Sequence, residues 1–303
     1  MKFRIGPNGV HLFDRLSGLN VLLDELRPRK EEWSTSPRQV SIALTNVCDL
    51  HCGYCYAPKH KASLRTDDVL SWVKELDTGG CLGIGFGGGE PTLHPDFANI
   101  CKRVADETQL AVTFTTHGHR VTPQLVECLK GSIHFTRISV DGVGRTYEEQ
   151  RGKQFASLLR GMESIAALSP FGINVVVNER TVAELDAMSE LAQEVGASEL
   201  LLLPQQATTT VANMNRVVGR ALQNWVSNYR GKVRLAVSET GASGLPTCDP
   251  LPDERGLQGY AHIDASGMLR ENSYSLVGTK IEDTGVLSAL KRLRNTVEIK
   301  RET

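Results

Sequence analysis

Cys48-Asp49-Leu50-His51-Cys52-Gly53-Tyr54-Cys55 gives the rest of this chain its bearings. Three cysteines stand with three and then two residues between them, directly after the apolar run Val40-Ser41-Ile42-Ala43-Leu44-Thr45. Iron–sulfur clusters are commonly closed by four cysteine thiolates. A compact run of three leaves one iron of a cubic cluster open, as a catalytic metal site keeps a position for its ligand. A finger-type zinc site needs a second ligand pair downstream, and no matching CxxC or HxxxH follows at a suitable distance.

Outward from this segment, short apolar runs at 40–45, 82–86, 111–115, 133–140, 173–177 and 199–203 alternate with helical patterns. The helical stretches are 66–78, 95–108, 122–130, 154–168, 182–195 and 213–229. Repeated units of this kind predict an α/β fold with a parallel sheet. Six units are too few for a closed eight-fold barrel. Functional groups in such folds gather beyond the C-terminal ends of the strands, which puts 48–55 on that rim. The second strand runs into Gly87-Gly88-Gly89-Glu90-Pro91. Consecutive glycines allow close backbone approach, and a carboxylate beside them can accept hydrogen bonds from an ammonium group.

In this order the two motifs resemble those of the radical SAM superfamily. Its cluster motif is CxxxCxxC with an aromatic residue before the last cysteine, here Tyr54, and its GGEP motif matches Gly88-Gly89-Glu90-Pro91. The resemblance implies an open, partial (β/α)6 barrel. It implies that Cys48, Cys52 and Cys55 hold one [4Fe-4S] cluster, with S-adenosyl-L-methionine (SAM) chelating the open iron. Tyr54, Gly88, Gly89, Glu90 and Pro91 then belong to the SAM site. So does Thr116, in Thr115-Thr116-His117-Gly118, where many relatives carry a Thr-Asn-Gly-like segment. Ser139 and Asp141, in Ser139-Val140-Asp141-Gly142, match a Ser-x-Asp-Gly segment that contacts the ribose and carboxylate of SAM. Arg151 reads either as a partner of the SAM carboxylate or as half of a surface ion pair. Asn178, with Asn174, reaches SAM from the rim. His117 reads either as a proton carrier or as a rim histidine bonded to backbone; His119 joins it facing the cavity. The implied chemistry is reductive cleavage of SAM to a 5′-deoxyadenosyl radical that abstracts hydrogen from substrate. A low-potential electron donor such as flavodoxin or ferredoxin is implied as a partner.

Residues 37–230 make up the expected barrel. Residues 1–36 read as a small β-meander around the turn signal Pro7-Asn8-Gly9. It is either a flap over the main domain or an exposed edge that captures an extended peptide. Residues 231–303 hold a strand at 232–237, a Gly-, Pro- and Ser-rich stretch at 238–257, a hairpin around Ala265-Ser266-Gly267 and a helix at 286–293. This tail resembles the twitch or SPASM extension of radical SAM enzymes. That extension normally carries a GxxxxC segment, whereas here Gly267 leads to Asn272. Only Cys248 remains nearby, and one thiolate cannot hold a cluster, so a tail without its own metal is expected. Cys248 reads either as a hydrogen-atom donor, which would make the enzyme an epimerase, or as a structural cysteine. Cys81, Cys101 and Cys128 read as buried small hydrophobes.

Composition bounds the rest. The 303 residues are 40% apolar and 23% charged with a net charge of -1, as expected of a globular core. The absence of a basic run argues against a nucleic-acid partner. Neither a signal-peptide core nor an apolar stretch of ~18–20 residues occurs, so a soluble, cytoplasmic protein without a membrane partner is expected. Seven cysteines, an odd number, do not suggest a disulfide framework. The chain therefore reads as a radical SAM enzyme modifying a peptide, as maturase or epimerase. Radical transformation of a sugar- or nucleoside-like small molecule is the alternative, and a non-catalytic cluster-binding scaffold is the alternative of another class.

Overall fold

The computed structural model describes residues 1–208, 210–248 and 251–302. β1 (Lys2–Gly6), β2 (Gly9–Phe13) and β3 (Asn20–Leu23) form a three-stranded antiparallel sheet. Register places Phe3, Leu12 and Val21 in one row and Ile5, Val10 and Leu23 in the next. That apolar face looks outward, with Phe3 and Leu23 exposed. The other face turns Lys2 and Arg4 inward, where they pair with Asp77 and Glu254. Strand alternation is kept, but ion pairs rather than apolar contacts attach the sheet to the main body.

The second sheet has ten strands. Those from the repeated units are β4 (Gln39–Thr45), β5 (Gly83–Gly88), β6 (Ala111–Thr116), β7 (Phe135–Ser139), β8 (Phe171–Val177) and β9 (Glu199–Pro204). β10 (Arg234–Val237) and β11 (Tyr260–Ile263) add one parallel strand at each side, beside β9 and β4. β12 (Met268–Arg270) and β13 (Gly278–Lys280) continue antiparallel beyond β11. The order is β10-β9-β8-β7-β6-β5-β4-β11-β12-β13.

Helices α1 (Thr66–Thr78), α2 (Phe97–Glu107) and α3 (Pro123–Leu129) follow β4, β5 and β6. α4 (Arg145–Arg151) and α5 (Phe155–Ala166) follow β7. α6 (Leu185–Glu194) and α7 (Arg216–Asn228) follow β8 and β9, and α8 (Val286–Glu302) ends the described chain. The expected partial (β/α)6 barrel is what forms.

Alternation along the strands separates two environments. Val40, Ile42 and Leu44 of β4 are fully buried in the same core as Val69, Val73 and Leu76 of α1. Each such side chain contributes about 1.5–3 kcal/mol by leaving water, so this helix-facing layer carries the stability. The opposite face is mixed, small or polar on β4, bare on β5, and lined by half-buried Leu201 and Leu203 on β9. β5 turns Gly83, Gly85 and Gly87 to it, and a Cβ at Gly87 would meet nothing within 4 Å. The barrel interior is therefore open at the rim where the motifs lie.

Three features differ from the sequence reading. α4 occupies a stretch to which the sequence reading assigns no helix; only Tyr147 of its seven residues is buried, so it shows no apolar stripe. α8 runs well past 293, because Val297 continues the packed face of Leu290 and Leu293. Cys128 is exposed on α3, whose buried side is formed by Leu129. No helix among the described residues is long and apolar enough to cross a membrane.

Candidate active site

The cysteine loop leaves the C-terminal end of β4 and reaches α1 with little regular structure. Its internal backbone bonds are few: Cys55 N–H donates to Cys52 O at 3.2 Å, and Asn46 N–H to Ala62 O at 2.9 Å. Cys48 and Cys55 are half-buried and Cys52 is buried, all as free thiols. Leu50 N–H points at Cys48 Sγ at 3.4 Å. Burial pushes the Cys48 thiol up; the Leu50 N–H opposes this, and the Glu90 carboxylate adds to it. Thiolates there need a cationic metal to stabilise them.

The glycine run is pressed onto this loop. Gly89 N–H donates to Thr45 O at 2.7 Å, and Glu90 N–H to Val47 O at 2.8 Å. Gly88 has φ 125°, where a Cβ would lie 2.2 Å from Thr45 O; a Cβ at Gly89 would lie 2.3 Å from Val47 O. Glycine is required here by the close approach of two chain segments. The consequence is that both motifs share one rim. Pro91 then starts a 3-10 turn, Pro91–Leu93, capped by the Glu90 side chain. Glu90 Oε1 accepts from the Thr92 hydroxyl at 2.7 Å and from the Thr116 hydroxyl at 2.8 Å. Glu90 Oε2 accepts from His117 N–H at 3.0 Å.

Around Cys52 lies a second polar group. Tyr54 OH donates to Asp141 Oδ2 at 2.6 Å, and Val176 N–H donates to Asp141 Oδ1 at 2.6 Å. Arg151, the last residue of α4, pairs with Asp141 at 2.5 Å, the two side chains being 11% and 1% exposed. Arg151 makes an ion pair that is buried, not on the surface. It also lies over the Tyr54 ring and points Nη1 at Cys52 Sγ, 3.7 Å away. Burial alone would lower the Arg151 pKa, but Asp141, then Tyr54 and Cys52, raise it above its ordinary value. Burial, reinforced by Asp141, likewise holds the Tyr54 phenol protonated well past its ordinary range. Arg151 Nε is buried with no partner.

A cavity of about 740 Å³ opens beside these groups, lined among others by Asp49, Tyr54, Arg151, Asn178, Gln205 and Met214. Asn178 is partly committed, since its Oδ1 accepts from Arg180 N–H at 3.0 Å. Ser139 ends β7, half-buried, on the face opposite core residue Ile138. Cys248 is exposed and lies outside the residues lining the cavity.

The histidines take up unexpected partners. His117 Nε2 lies 2.8 Å from Asp49 Oδ1, so it contacts a carboxylate of the cysteine loop. His119 bonds Tyr147 OH at 2.7 Å, and burial together with neighbouring His117 lowers its pKa to about 4. Asp49 has no chemistry assigned by the cysteine motif, and nothing local in the sequence marks its bond with a histidine 68 residues on.

The residues present fit a cluster and SAM: three unpaired thiols on one short loop, a bare glycine face, and a buried guanidinium with a donor to spare. Similarity to known proteins points the same way. The model of the radical SAM superfamily matches residues 42–192. The AdoMet-dependent heme synthase of Methanosarcina barkeri is 31% identical over 173 residues, covering 54% of this chain and 49% of that protein. The mycofactocin maturase MftC of Mycobacterium tuberculosis is 32% identical over 171 residues, covering 54% and 44%. The chain thus spans about half the length of the curated relatives it matches. Streptococcus suis SuiB bound to precursor peptide SuiA shares the fold with TM-score 0.74 at 13% identity, over 95% of this chain and 86% of that one.

Proposed function

Because this chain belongs to the radical SAM superfamily, we propose that it is an enzyme that modifies a peptide, as maturase or epimerase. One observation carries the reading: the cysteine loop and the glycine-glutamate turn are hydrogen-bonded together on one rim, through Gly89 and Glu90, beside an open cavity. When bound, the cluster and SAM supply reductive cleavage of the sulfonium and a carbon radical able to remove an unactivated hydrogen. Cys48, Cys52 and Cys55 would hold the cluster. Glu90 would accept the ammonium group of SAM, and Arg151, whose Nε is buried without a partner, would donate to an anionic or carbonyl oxygen. Asp141 holds Arg151 in that position and accepts the Tyr54 hydroxyl as well.

The peptide substrate is supported by the maturase among the relatives and by the peptide-bound state of SuiB. A small-molecule substrate draws support from the heme synthase. In either case a low-potential flavodoxin or ferredoxin would deliver the electron.

The test is anaerobic reconstitution with iron and sulfide, then incubation with SAM, dithionite and short peptides encoded beside the gene. Wild type should release 5′-deoxyadenosine, and the Cys48→Ala/Cys52→Ala/Cys55→Ala triple variant should release none. In D2O an epimerised peptide gains a deuterium, whereas a cross-linked one loses two hydrogens. If Cys248 is the donor, Cys248→Ala stops epimerisation while 5′-deoxyadenosine still forms. No 5′-deoxyadenosine from cluster-loaded wild type would favour the scaffold.

A further inference from the structure

His117 stands between two motifs that are far apart in the sequence. It is the first residue beyond β6, and its side chain is 3% exposed. Its Nδ1 accepts the His119 N–H at 3.2 Å. A ring nitrogen that accepts carries no proton, so the pattern assigns the proton to Nε2. Nε2 faces two carboxylates: Asp49 Oδ1 at 2.8 Å and Glu90 Oε2 at 3.4 Å. The main-chain N–H of the same residue also donates to Glu90 Oε2. One buried residue therefore ties the two motifs together: its ring bonds Asp49 of the cysteine loop, and its main-chain N–H donates to the GGEP carboxylate. Cys48 Sγ, an Asp49 oxygen and a His117 nitrogen all lie within 4.8 Å of one another.

The loop needs such a tether. With few backbone bonds of its own, it is held by side chains: Asp49 by His117 and, at 3.5 Å, by Arg120; Tyr54 by Asp141; Cys52 by Arg151. Arg120 is exposed and its contact long, so it gives Asp49 little fixed geometry. Without the imidazole, Glu90 would keep the Thr92 and Thr116 hydroxyls and the His117 main-chain N–H, but Asp49 would lose its short bond and turn to water.

We propose that His117 is a positioning residue: through Asp49 it fixes the cysteine loop against Glu90, and so governs how tightly the cluster is kept and how it responds to SAM. The proposal rests on the reading of Cys48, Cys52 and Cys55 as cluster ligands. Groups that orient metal ligands from behind typically matter about 10–100-fold in metal affinity.

The experiment uses reconstituted full-length protein and follows iron loss to an excess of a ferrous chelator, with EPR of the dithionite-reduced cluster before and after SAM. His117→Ala should lose iron about tenfold faster than wild type, with a reduced-cluster spectrum that SAM no longer alters in the same way. His117→Gln, whose side-chain amide can present a donor at similar reach, should recover most of the retention. Asp49→Ala should lose iron as fast as His117→Ala, and the double variant no faster than either. Circular dichroism checks the fold; if His117→Ala does not fold, Asp49→Ala and His117→Gln decide. Iron retention and SAM-responsive spectra equal to wild type in Asp49→Ala would overturn the proposal. Additive losses in the double variant would do so too. Failure of wild type to take up a cluster would instead overturn the cluster reading itself.

Discussion

Arg4 and Arg151 are buried at opposite ends of the same barrel, and their surroundings differ in kind. Arg4 closes the N-terminal rim. Its Nε pairs with Glu254, Nη1 donates to Ser36 O at 2.9 Å and Gly80 O at 3.1 Å, and Nη2 to Gln258 O at 2.9 Å. Those carbonyls precede β4, β5 and β11, so one guanidinium laces three neighbouring strands together. Burial lowers its pKa more than Glu254 restores it. Arg151, on the C-terminal rim, faces Asp141, Tyr54 and Cys52, and is left with an unused donor. Both have a buried carboxylate; Arg4 is completed by three carbonyls, whereas Arg151, as a group prepared for a ligand, keeps a bond unmade.

Glu254→Ala puts this contrast under the greatest strain. It leaves the Arg4 charge buried among carbonyls, and should cost about 3–5 kcal/mol of unfolding free energy. Urea unfolding measures it; a loss under about 1 kcal/mol would mean that the carbonyls alone satisfy Arg4. Next in size is an acid effect at the seam of β4 and β11. His262 Nδ1 bonds Ser41 Oγ at 2.7 Å, and burial, opposed by Asp264, lowers its pKa to about 4. The unfolded chain takes up this proton first, at about pH 6.5. Stability is therefore full above that pH and falls as pH drops toward 4, by about 3 kcal/mol. Unfolding of His262→Gln at pH 7 and pH 4.5 should lack this component; an equal drop in both proteins would place the acid sensitivity elsewhere. Smallest is Arg151→Gln. Asp141 keeps Tyr54 OH and Val176 N–H, so the fold should persist while SAM binds about tenfold more weakly, or 1.4 kcal/mol. Isothermal titration of cluster-loaded protein reads this. A variant that unfolds as Glu254→Ala does, with SAM affinity intact, would erase the distinction between the two ends.

What the sequence discloses follows the range of the interactions. Helix 66–78 is legible because Val69, Leu70, Trp72, Val73 and Leu76 recur at helical spacing, with Gly79 at the end. The cysteine and glycine motifs are legible because their chemistry is packed into a few consecutive residues. Arg4 and Glu254 lie 250 residues apart, and Asp49 and His117 lie 68 apart. No local pattern marks either pair; only the topology brings them together. α4 stays hidden for the opposite reason. It is local but only seven residues long, and it carries Tyr147 and Arg151 inward before Gly152 ends it at φ 68°.

The seam between β4 and β11 also bears on how the molecule comes to be made. β4 pairs with β5 on one side early in synthesis, but its other neighbour is supplied only from residue 260 onward. Until β11 arrives, the strand that leads into the cysteine loop presents a bare hydrogen-bonding edge, the kind that recruits other chains. The tail thus works as a late lock: it seals the first strand of the barrel after every other parallel strand is in place. A chain cut before residue 260 would carry its cysteine motif on an open edge, and should aggregate rather than remain monomeric and metal-free.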